Sequence, residues 1–381
     1  MSFLNKSEEY KLVYADNAAT TKLDNEAFET MKRFLLDEYG NPSQPYSFSR
    51  DCKKAISEAR KIIASCIGAK PEEIFFTSGG TESDNWAIKM GAGNKGDIIT
   101  SIIEHKAILN SCQFMKDNGR NIIFLPVDES GTVDVAYLEK HMNNNVSLVS
   151  VMLANNEIGS IQPIKEIADI VHKYNCIFHT DAVQAVGHIP IDVKELGVDL
   201  LSASAHKFNG PRGIGFLYIK EGVDIAPLIN GGSQESGKRG GTENVASIVG
   251  MAVALKKNYD TLEENNQHLM NLESELLDYL VQKKIQFIRN GSVNHLPGNI
   301  SLSIKNSNGE MLLHRLDLMG ICISTGSACD SKNTQISHVI KAINVPEEYA
   351  VGTIRISIGK ENTSGEIHHI VEALSGILNK N

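Results

Sequence analysis

Residues 146–153 have the sequence VSLVSVML and residues 176–180 have the sequence CIFHT, two nearly continuous apolar runs. Between them lies an amphipathic pattern with the i, i+3, i+4, i+7 spacing of a helix, formed by Ile164, Ile167, Ala168 and Val171. Apolar strands separated by helices are typical of a parallel sheet, because the crossover helices cover both of its faces. The stretch therefore predicts a strand–helix–strand unit of an α/β fold.

The same alternation extends through the first part of the chain. Seven apolar runs predict strands: Ile74–Thr77, Asp97–Ser101, Ile122–Val127, Val146–Leu153, Cys176–Thr180, Leu200–Ser204 and Ile214–Ile219. After about Val245 the pattern changes to a long helical stretch that reaches Lys284, and shorter strands and helices follow. At 381 residues the chain has room for two domains. We expect a large domain, residues 15–260, with a mostly parallel seven-stranded sheet, and a smaller α+β C-terminal domain formed by residues 1–14 and 261–381.

Composition excludes several classes of protein. The chain has 37 basic and 46 acidic residues, a net charge of −9, so general nucleic-acid binding is not expected. The first residues lack the charged and apolar regions of a secretory signal, and no apolar run approaches the roughly 18 residues of a membrane span. The six cysteines are scattered without a CxxC pair, which argues against a disulfide framework and a structural zinc site. We expect a cytoplasmic protein.

A lysine and an aspartate follow two of the predicted strands. Lys207 comes just after Leu200–Ser204, and Asp181 directly follows Cys176–Thr180. Burying an ammonium group is costly, and one common reason to do so is a Schiff base, because desolvation makes the amine nucleophilic. A lysine for the aldehyde and a carboxylate for the pyridinium nitrogen are the two fixed points of a pyridoxal 5'-phosphate site. The pair therefore predicts that cofactor, bound beyond the carboxyl ends of the strands.

Two further strand ends carry candidate cofactor residues. Residues 76–85, FTSGGTESDN, form a strand, a glycine turn and a helix start, where Gly80 and Thr81 would bind a phosphate. The alternative is an ordinary helix start with threonine as its cap. His105 follows Asp97–Ser101 and would stack on the pyridine ring and transfer a proton. The alternative for His105 is a cap of the next helix.

Other polar residues have both a functional and a structural interpretation. Asn156 would bind the cofactor or a substrate carboxylate, or only shape a turn. Gln184, on a first helical turn, would reach the cofactor ring oxygen, or be an ordinary polar residue. Arg355, within a predicted strand, is suited to a bidentate grip on an α-carboxylate, or is an edge-strand charge. Thr242, in the glycine-rich stretch 231–244, would reach a partner subunit's phosphate, or lie in a plain connection.

Cys329 differs from the other cysteines in its surroundings. Residues 324–334, STGSACDSKNT, are small and polar, so we expect the Cys329 thiol to be accessible. Asp330 would oppose thiolate formation and Lys332 would favour it, and a casual surface thiol is the alternative. Cys322, Cys329 and His338 could be imagined as metal ligands, but their spacing matches no zinc signature, so no metal site is expected.

These residues occur in sequence blocks that resemble the cysteine desulfurases, pyridoxal-phosphate enzymes of the class V aminotransferase group. Nine blocks match in order: residues 14–21 (YADNAATT), 40–43 (GNPS), 78–83 (SGGTES), 104–106 (EHK), 155–159 (NNEIG), 181–187 (DAVQAVG), 202–211 (SASAHKFNGP), 239–244 (RGGTEN) and 324–329 (STGSAC). Nine blocks at plausible intervals over nearly the whole chain are a specific signal. The resemblance implies a fold-type-I pyridoxal-phosphate transferase.

The resemblance also assigns roles by matching position. It implies these cofactor-binding residues: Gly80, Thr81, His105, Asn156, Asp181, Gln184, Ser204, His206, Lys207, and Thr242 of the partner subunit. Lys207, His105 and Cys329 would be catalytic, with Cys329 on a mobile loop of the small domain as the persulfide cysteine. Asn156 and Arg355 would bind the substrate carboxylate.

The activity implied is the conversion of L-cysteine to L-alanine by a homodimer. The interval from Cys329 to Arg355 resembles that of the long-loop subgroup, which implies transfer of the sulfur to an iron–sulfur scaffold or a tRNA-thiolating enzyme. With such a scaffold, Cys329 would be a transient iron–sulfur ligand. The alternatives are a selenocysteine lyase, an aminotransferase-like relative, a metal- or iron–sulfur-binding protein and a catalytically inactive sulfur-relay partner. The chain departs from the family's usual residues at Tyr46, Ser49, Ser233, Gly240 and Asp330.

Overall fold

The computed structural model describes residues 12–93, 95–325 and 336–379. The strands, in chain order, are β1 (Val13–Tyr14), β2 (Ile74–Thr77), β3 (Asp97–Ser101), β4 (Ile122–Leu125), β5 (Val146–Ser150), β6 (Ile177–Asp181), β7 (Leu200–Ser204), β8 (Gly215–Ile219), β9 (Phe287–Asn290), β10 (Asn299–Ile304), β11 (Ile321–Cys322) and β12 (Thr353–Ser357). The α-helices are α1 (Asn25–Leu36), α2 (Arg50–Cys66), α3 (Gly80–Trp86), α4 (Lys106–Asp117), α5 (Val135–His141), α6 (Ile164–Val171), α7 (Val193–Leu196), α8 (Val245–Asp260), α9 (Leu262–Gln282), α10 (Gly309–Asp317), α11 (His338–Ala342), α12 (Glu347–Ala350) and α13 (Ser364–Leu378).

The seven predicted strands form one sheet in the order β2-β8-β7-β6-β5-β3-β4. Neighbours from β7 to β4 pair in parallel, whereas β8 is antiparallel to both β7 and β2. Every residue of β2, β7 and β8 is buried, which explains their continuous apolar sequences. The mostly parallel seven-stranded sheet is therefore confirmed.

The C-terminal part of the chain builds a second hydrophobic core. A three-stranded antiparallel sheet, β12-β10-β9, packs there with apolar residues of α9 and α13. Val13 belongs to this core as well, because β1 pairs in parallel with β11. The division into a large domain, residues 15–260, and a small domain, residues 1–14 and 261–381, stays a prediction.

The predicted helical stretch from Val245 to Lys284 consists of two helices. Thr261, with φ −118° and ψ 17°, separates α8 from α9, and its hydroxyl donates to the carbonyl of Lys257 at 3.0 Å. Helix α8 packs against α1 and α2, whereas α9 packs against α13 in the second core. The break lets two consecutive apolar faces point toward different cores. In the part of the chain that the structure describes, no helix is both long and apolar enough to cross a bilayer.

Candidate active site

The carboxyl ends of β3, β5, β6 and β7 meet the start of α3 around a cavity of about 670 Å³. Its lining includes the following predicted site residues: Gly80, Thr81, His105, Asn156, Asp181, Gln184, Ser204, His206, Lys207 and Arg355. Parallel strands bring their carboxyl ends to one edge of the sheet, and this brings together residues far apart in sequence.

One end of the cavity has the features of an anion site. Gly79 has φ +145°, a conformation that favours glycine, and α3 begins directly after it. A Cβ on Gly80 would lie 2.6 Å from Cγ2 of Val183, so the backbone approaches closely there. No side chain of the described residues caps the helix, and the predicted alternative of Thr81 as the cap is wrong because Gly79 holds that position. The uncapped amides and the Thr81 hydroxyl suit a phosphate.

Lys207 and Asp181 lie in the same cavity, after neighbouring strands. The Lys207 ammonium donates to the carbonyls of Ala18 and Ala19 at 2.6 and 2.8 Å. Asp181 accepts from the amide of Val183 at 2.9 Å. Burial raises the pKa of Asp181, and His105 and Lys207 act in the opposite direction. A buried carboxyl beside a lysine and a phosphate cradle is the donor set that pyridoxal phosphate requires, so these residues fit the cofactor.

The interpretation of His105 as a helix cap is correct, and its role beside the cofactor ring stays a prediction. It is the N-cap of α4, where its Nδ1 accepts from the amide of Ala107 at 3.2 Å, and its ring also lines the cavity. Burial lowers the pKa of His105, so the neutral ring prevails and carries its proton on Nε2. An orientation fixed by the backbone and one free ring nitrogen suit a group that moves a proton.

Arg355 is a buried cation with one donor unused. Its Nη2 lies 2.7 Å from Oδ1 of Asp16 and its Nη1 donates to the carbonyl of Asn156 at 3.0 Å. Its Nε has no hydrogen-bond partner among the described residues, although the side chain is 5% exposed. β12 is an edge strand of its sheet, as the alternative expected, and Arg355 is nevertheless buried there. Because Arg355 also lines the cavity, its guanidinium is suited to bind a carboxylate there.

Three other predicted cofactor ligands, Gln184, His206 and Ser204, also line the cavity. The Gln184 amide donates to the carbonyl of Ala18 at 2.9 Å, and Nδ1 of His206 lies 3.2 Å from the hydroxyl of Thr20. Burial lowers the pKa of His206 to about 4, so the ring is neutral near pH 7. Ser204 ends β7 with its hydroxyl facing the glycine turn, 3.5 Å from a Cβ built on Gly79.

One predicted residue, Thr242, is described by the structure but lies away from the cavity. Thr242 is exposed. Cys329 lies outside the described residues. Within the described ranges, Cys322 and His338 do not share a cluster of metal-ligating atoms. One such cluster is present, formed by atoms of Asp84, His105 and Asp181 within 4.8 Å of one another, and it lies in the cavity already described.

The sequence analysis missed three buried acidic residues of the cavity, namely Asp84, Glu104 and Glu157. Burial raises the pKa of Glu104 to about 8 and that of Glu157 to about 7. Glu104 accepts from the amide of Met152, and Glu157 accepts from the hydroxyl of Ser337 at 2.5 Å. Two of them stand in matching blocks, EHK and NNEIG, which is the signal that could have identified them.

Comparison with known proteins agrees with this geometry. The aminotransferase class-V family model matches residues 13–370. The cysteine desulfurase IscS of Dictyoglomus turgidum is 49% identical over 97% of this chain and 95% of its own length. That of Methanosarcina thermophila is 45% identical over 99% of this chain and 94% of its own. The structure of a NifS-like protein superposes with a TM-score of 0.91 and 39% identity, over 97% of this chain and 100% of that one.

A further solved structure contains bound cysteine. SspA in complex with cysteine is 34% identical, with a TM-score of 0.80, over 92% of this chain and 100% of that one. These similarities span the whole cavity and both cores, and they confirm the fold type, the enzyme class and the cofactor implied by the sequence blocks. The chain belongs to the aminotransferase class-V family and, within it, to the cysteine desulfurases, which use pyridoxal 5'-phosphate.

Proposed function

We propose that this cysteine desulfurase converts L-cysteine to L-alanine at the cavity between β3 and β7 and passes the sulfur to Cys329. One observation carries the proposal: Lys207, Asp181 and the uncapped start of α3 line a single cavity. They supply an amine for the aldehyde, a carboxylate for the ring nitrogen and an anion site for the phosphate. His105, Asn156, Gln184, Ser204 and His206 complete the proposed cofactor contacts.

The protein groups have distinct tasks in this reaction. The bound cofactor supplies an electron sink that acidifies the Cα proton of the substrate. Arg355, with Asn156, binds and orients the substrate carboxylate in the cavity. Lys207 takes the proton from Cα, and His105 holds or moves the proton of the substrate thiol.

The sulfur step transfers an atom between two cysteines. The Cys329 thiolate attacks the substrate sulfur, so the carbon–sulfur bond breaks while a sulfur–sulfur bond forms. The bonding pair of the broken bond stays with the carbon skeleton, which takes up protons and leaves as alanine. Cys329 then carries a persulfide whose outer sulfur a thiolate of the acceptor can take.

Replacing Cys329 by serine tests the sulfur step. We expect Cys329→Ser to bind the cofactor as the parent protein does, because none of the proposed cofactor contacts belongs to Cys329. It should nevertheless form no persulfide, since serine lacks the sulfur nucleophile. Mass spectrometry after incubation with cysteine should show a gain of one sulfur in the parent protein alone. Cys176→Ser, at a buried cysteine away from the cavity, is the control. A persulfide-bearing parent peptide without Cys329 would contradict the assignment.

We propose a homodimer in which Thr242 of the partner subunit reaches the phosphate. Five large apolar side chains near the end of α1 and the following turn are about half exposed or more: Leu35, Leu36, Tyr39, Tyr46 and Phe48. The rings of Tyr39 and Phe48 contact each other edge to face, with centroids 5.1 Å apart. Contiguous exposed apolar surface of this kind usually mediates association.

Sedimentation equilibrium tests the dimer. We expect the parent protein to sediment as a dimer, and the Leu36→Glu/Tyr39→Glu double variant to dissociate, since it places two charges in the apolar surface. Thr242→Val should weaken phosphate binding while the protein stays dimeric. A monomeric parent protein would contradict the proposal that Thr242 of the partner subunit completes the phosphate site.

The sulfur acceptor is proposed to be an iron–sulfur scaffold or a tRNA-thiolating enzyme in the cytoplasm. The relatives named IscS support a role in iron–sulfur assembly. In that role Cys329 would serve as a transient cluster ligand with the scaffold. Five free cysteines among the described residues are consistent with a reducing compartment.

A further inference from the structure

A second buried aspartate lies beside Asp181. Asp84 is 1% exposed and projects from α3, one turn after Gly80, toward the same cavity. A carboxyl oxygen of Asp84 and one of Asp181 lie within 4.8 Å of each other. Because two carboxylates at this distance in a buried site repel strongly, they do not both ionise near neutral pH.

The partners of the two carboxyls are unequal. Asp181 accepts from the amide of Val183, and the Lys207 ammonium is near enough to favour its charged form. Asp84 interacts with the hydroxyl of Ser202, and its Oδ1 has no hydrogen-bond partner among the described residues. The anionic charge therefore settles on Asp181 and the proton on Asp84.

The groups behind Asp84 supply no positive charge. His179 is fully buried, with its two ring nitrogens each 2.9 Å from a serine hydroxyl, those of Ser150 and Ser202. Burial lowers the pKa of His179 to about 3, so the ring is neutral although its Nε2 lies 3.9 Å from Oδ1 of Asp84. Two further titratable groups lie near Asp84, and neither supplies positive charge: burial favours the neutral ring of His105 and raises the pKa of Glu104 to about 8.

We propose that Asp84 is a positioning residue for Asp181, kept as a neutral carboxyl by its burial beside the Asp181 carboxylate. The neutral carboxyl keeps Asp181 the single anion facing the cofactor ring, and its contact with Ser202 keeps β6 and β7 in register with α3. The inference rests on the proposed role of Asp181 as partner of the ring nitrogen. It adds that Asp84, which lies beside Asp181 and carries no charge itself, positions the Asp181 carboxylate.

The substitution Asp84→Asn separates charge from shape in the holoenzyme. Infrared difference spectra between the parent and Asp84→Asn should show the loss of one protonated-carboxyl carbonyl band. The pH midpoint of the visible absorption band of the bound cofactor should change by less than about 0.3 unit, because a neutral group replaces a neutral group. A fall of the midpoint by about one unit or more, or no carbonyl band lost, would mean that Asp84 is ionised and would overturn the proposal.

The substitution Asp84→Leu tests positioning. We expect pyridoxal phosphate to dissociate with a constant about tenfold higher from Asp84→Leu, the value of one lost hydrogen bond, and less than threefold higher from Asp84→Asn. Asp117→Asn, at an exposed carboxyl of α4, is the control. Parent-like affinity in Asp84→Leu would refute the positioning role. If the leucine variant does not fold, the two measurements on Asp84→Asn still decide the charge state.

These readouts require only bound cofactor. A parent protein that binds pyridoxal phosphate but makes no alanine from cysteine would overturn the proposed function and leave the assignment of the proton on Asp84 intact. An active parent protein with an ionised Asp84 would support the proposed function and overturn the assignment of the proton to Asp84.

Discussion

Replacement of Lys207 by alanine is expected to abolish turnover and the visible absorption band of the bound cofactor. Lys207 has two proposed tasks, to hold the cofactor aldehyde and to move the Cα proton, and alanine can perform neither. We expect the rate of alanine formation to fall at least about 10³-fold, to the level of the background reaction. Absorption spectra and amino-acid analysis after incubation with cysteine measure both effects.

Two comparisons make the Lys207 experiment specific. Lys194→Ala removes an exposed lysine of α7 and should leave spectrum and rate unchanged. A small primary amine added to Lys207→Ala should restore part of the band, since it supplies the missing nitrogen to an intact cavity. Alanine formation at more than a tenth of the parent rate in the variant would rule out the assigned role.

Asp181→Asn should produce the second-largest loss. The amide side chain can still accept from the Val183 amide, so the local fold is retained. It removes the negative charge that stabilises a protonated ring nitrogen, and a single charged contact of this kind in a closed site contributes roughly 10²- to 10³-fold to kcat. We expect kcat to fall by that factor while KM changes less than about threefold.

The Asp181 measurement has a close internal comparison. Asp117→Asn makes the same chemical change at an exposed position and should behave as the parent protein. Steady-state kinetics and the pH midpoint of the absorption band, taken together, separate lost charge from lost binding. A kcat within threefold of the parent value would refute the pairing of Asp181 with the ring nitrogen.

Local sequence was sufficient where structure depends on local pattern. The strands Ile74–Thr77, Asp97–Ser101 and Leu200–Ser204 have the bounds that their apolar runs predict. The residues after their carboxyl ends could be placed in one site because parallel strands share that edge. The break at Thr261 could not be predicted, because the two helical segments are each regular and only the separation of the cores requires a bend.

Long-range packing defined what the sequence could not. β1 and β11 are two residues long each and form only because they pair across about 300 residues. Aspartate and glutamate usually lie on the surface, and Asp84, Glu104 and Glu157 are buried only in the folded chain. Their hydrogen-bond partners there are Ser202, Met152 and Ser337, respectively. Sequence patterns report periodicity, so they do not distinguish a solvated carboxyl from a desolvated one.

The short segment after β1 contacts the second core, Arg355 and Lys207. Val13 belongs to the second core, while the carbonyls of Ala18 and Ala19, five and six residues later, hold the Lys207 ammonium. Asp16, which lies between Val13 and Ala18 in the chain, forms an ion pair with Arg355. A shift of the second core relative to the seven-stranded sheet would therefore move the contacts of Lys207 and those of Arg355 together. Binding of a substrate carboxylate at Arg355 would then change the surroundings of the Lys207 amine through this segment alone.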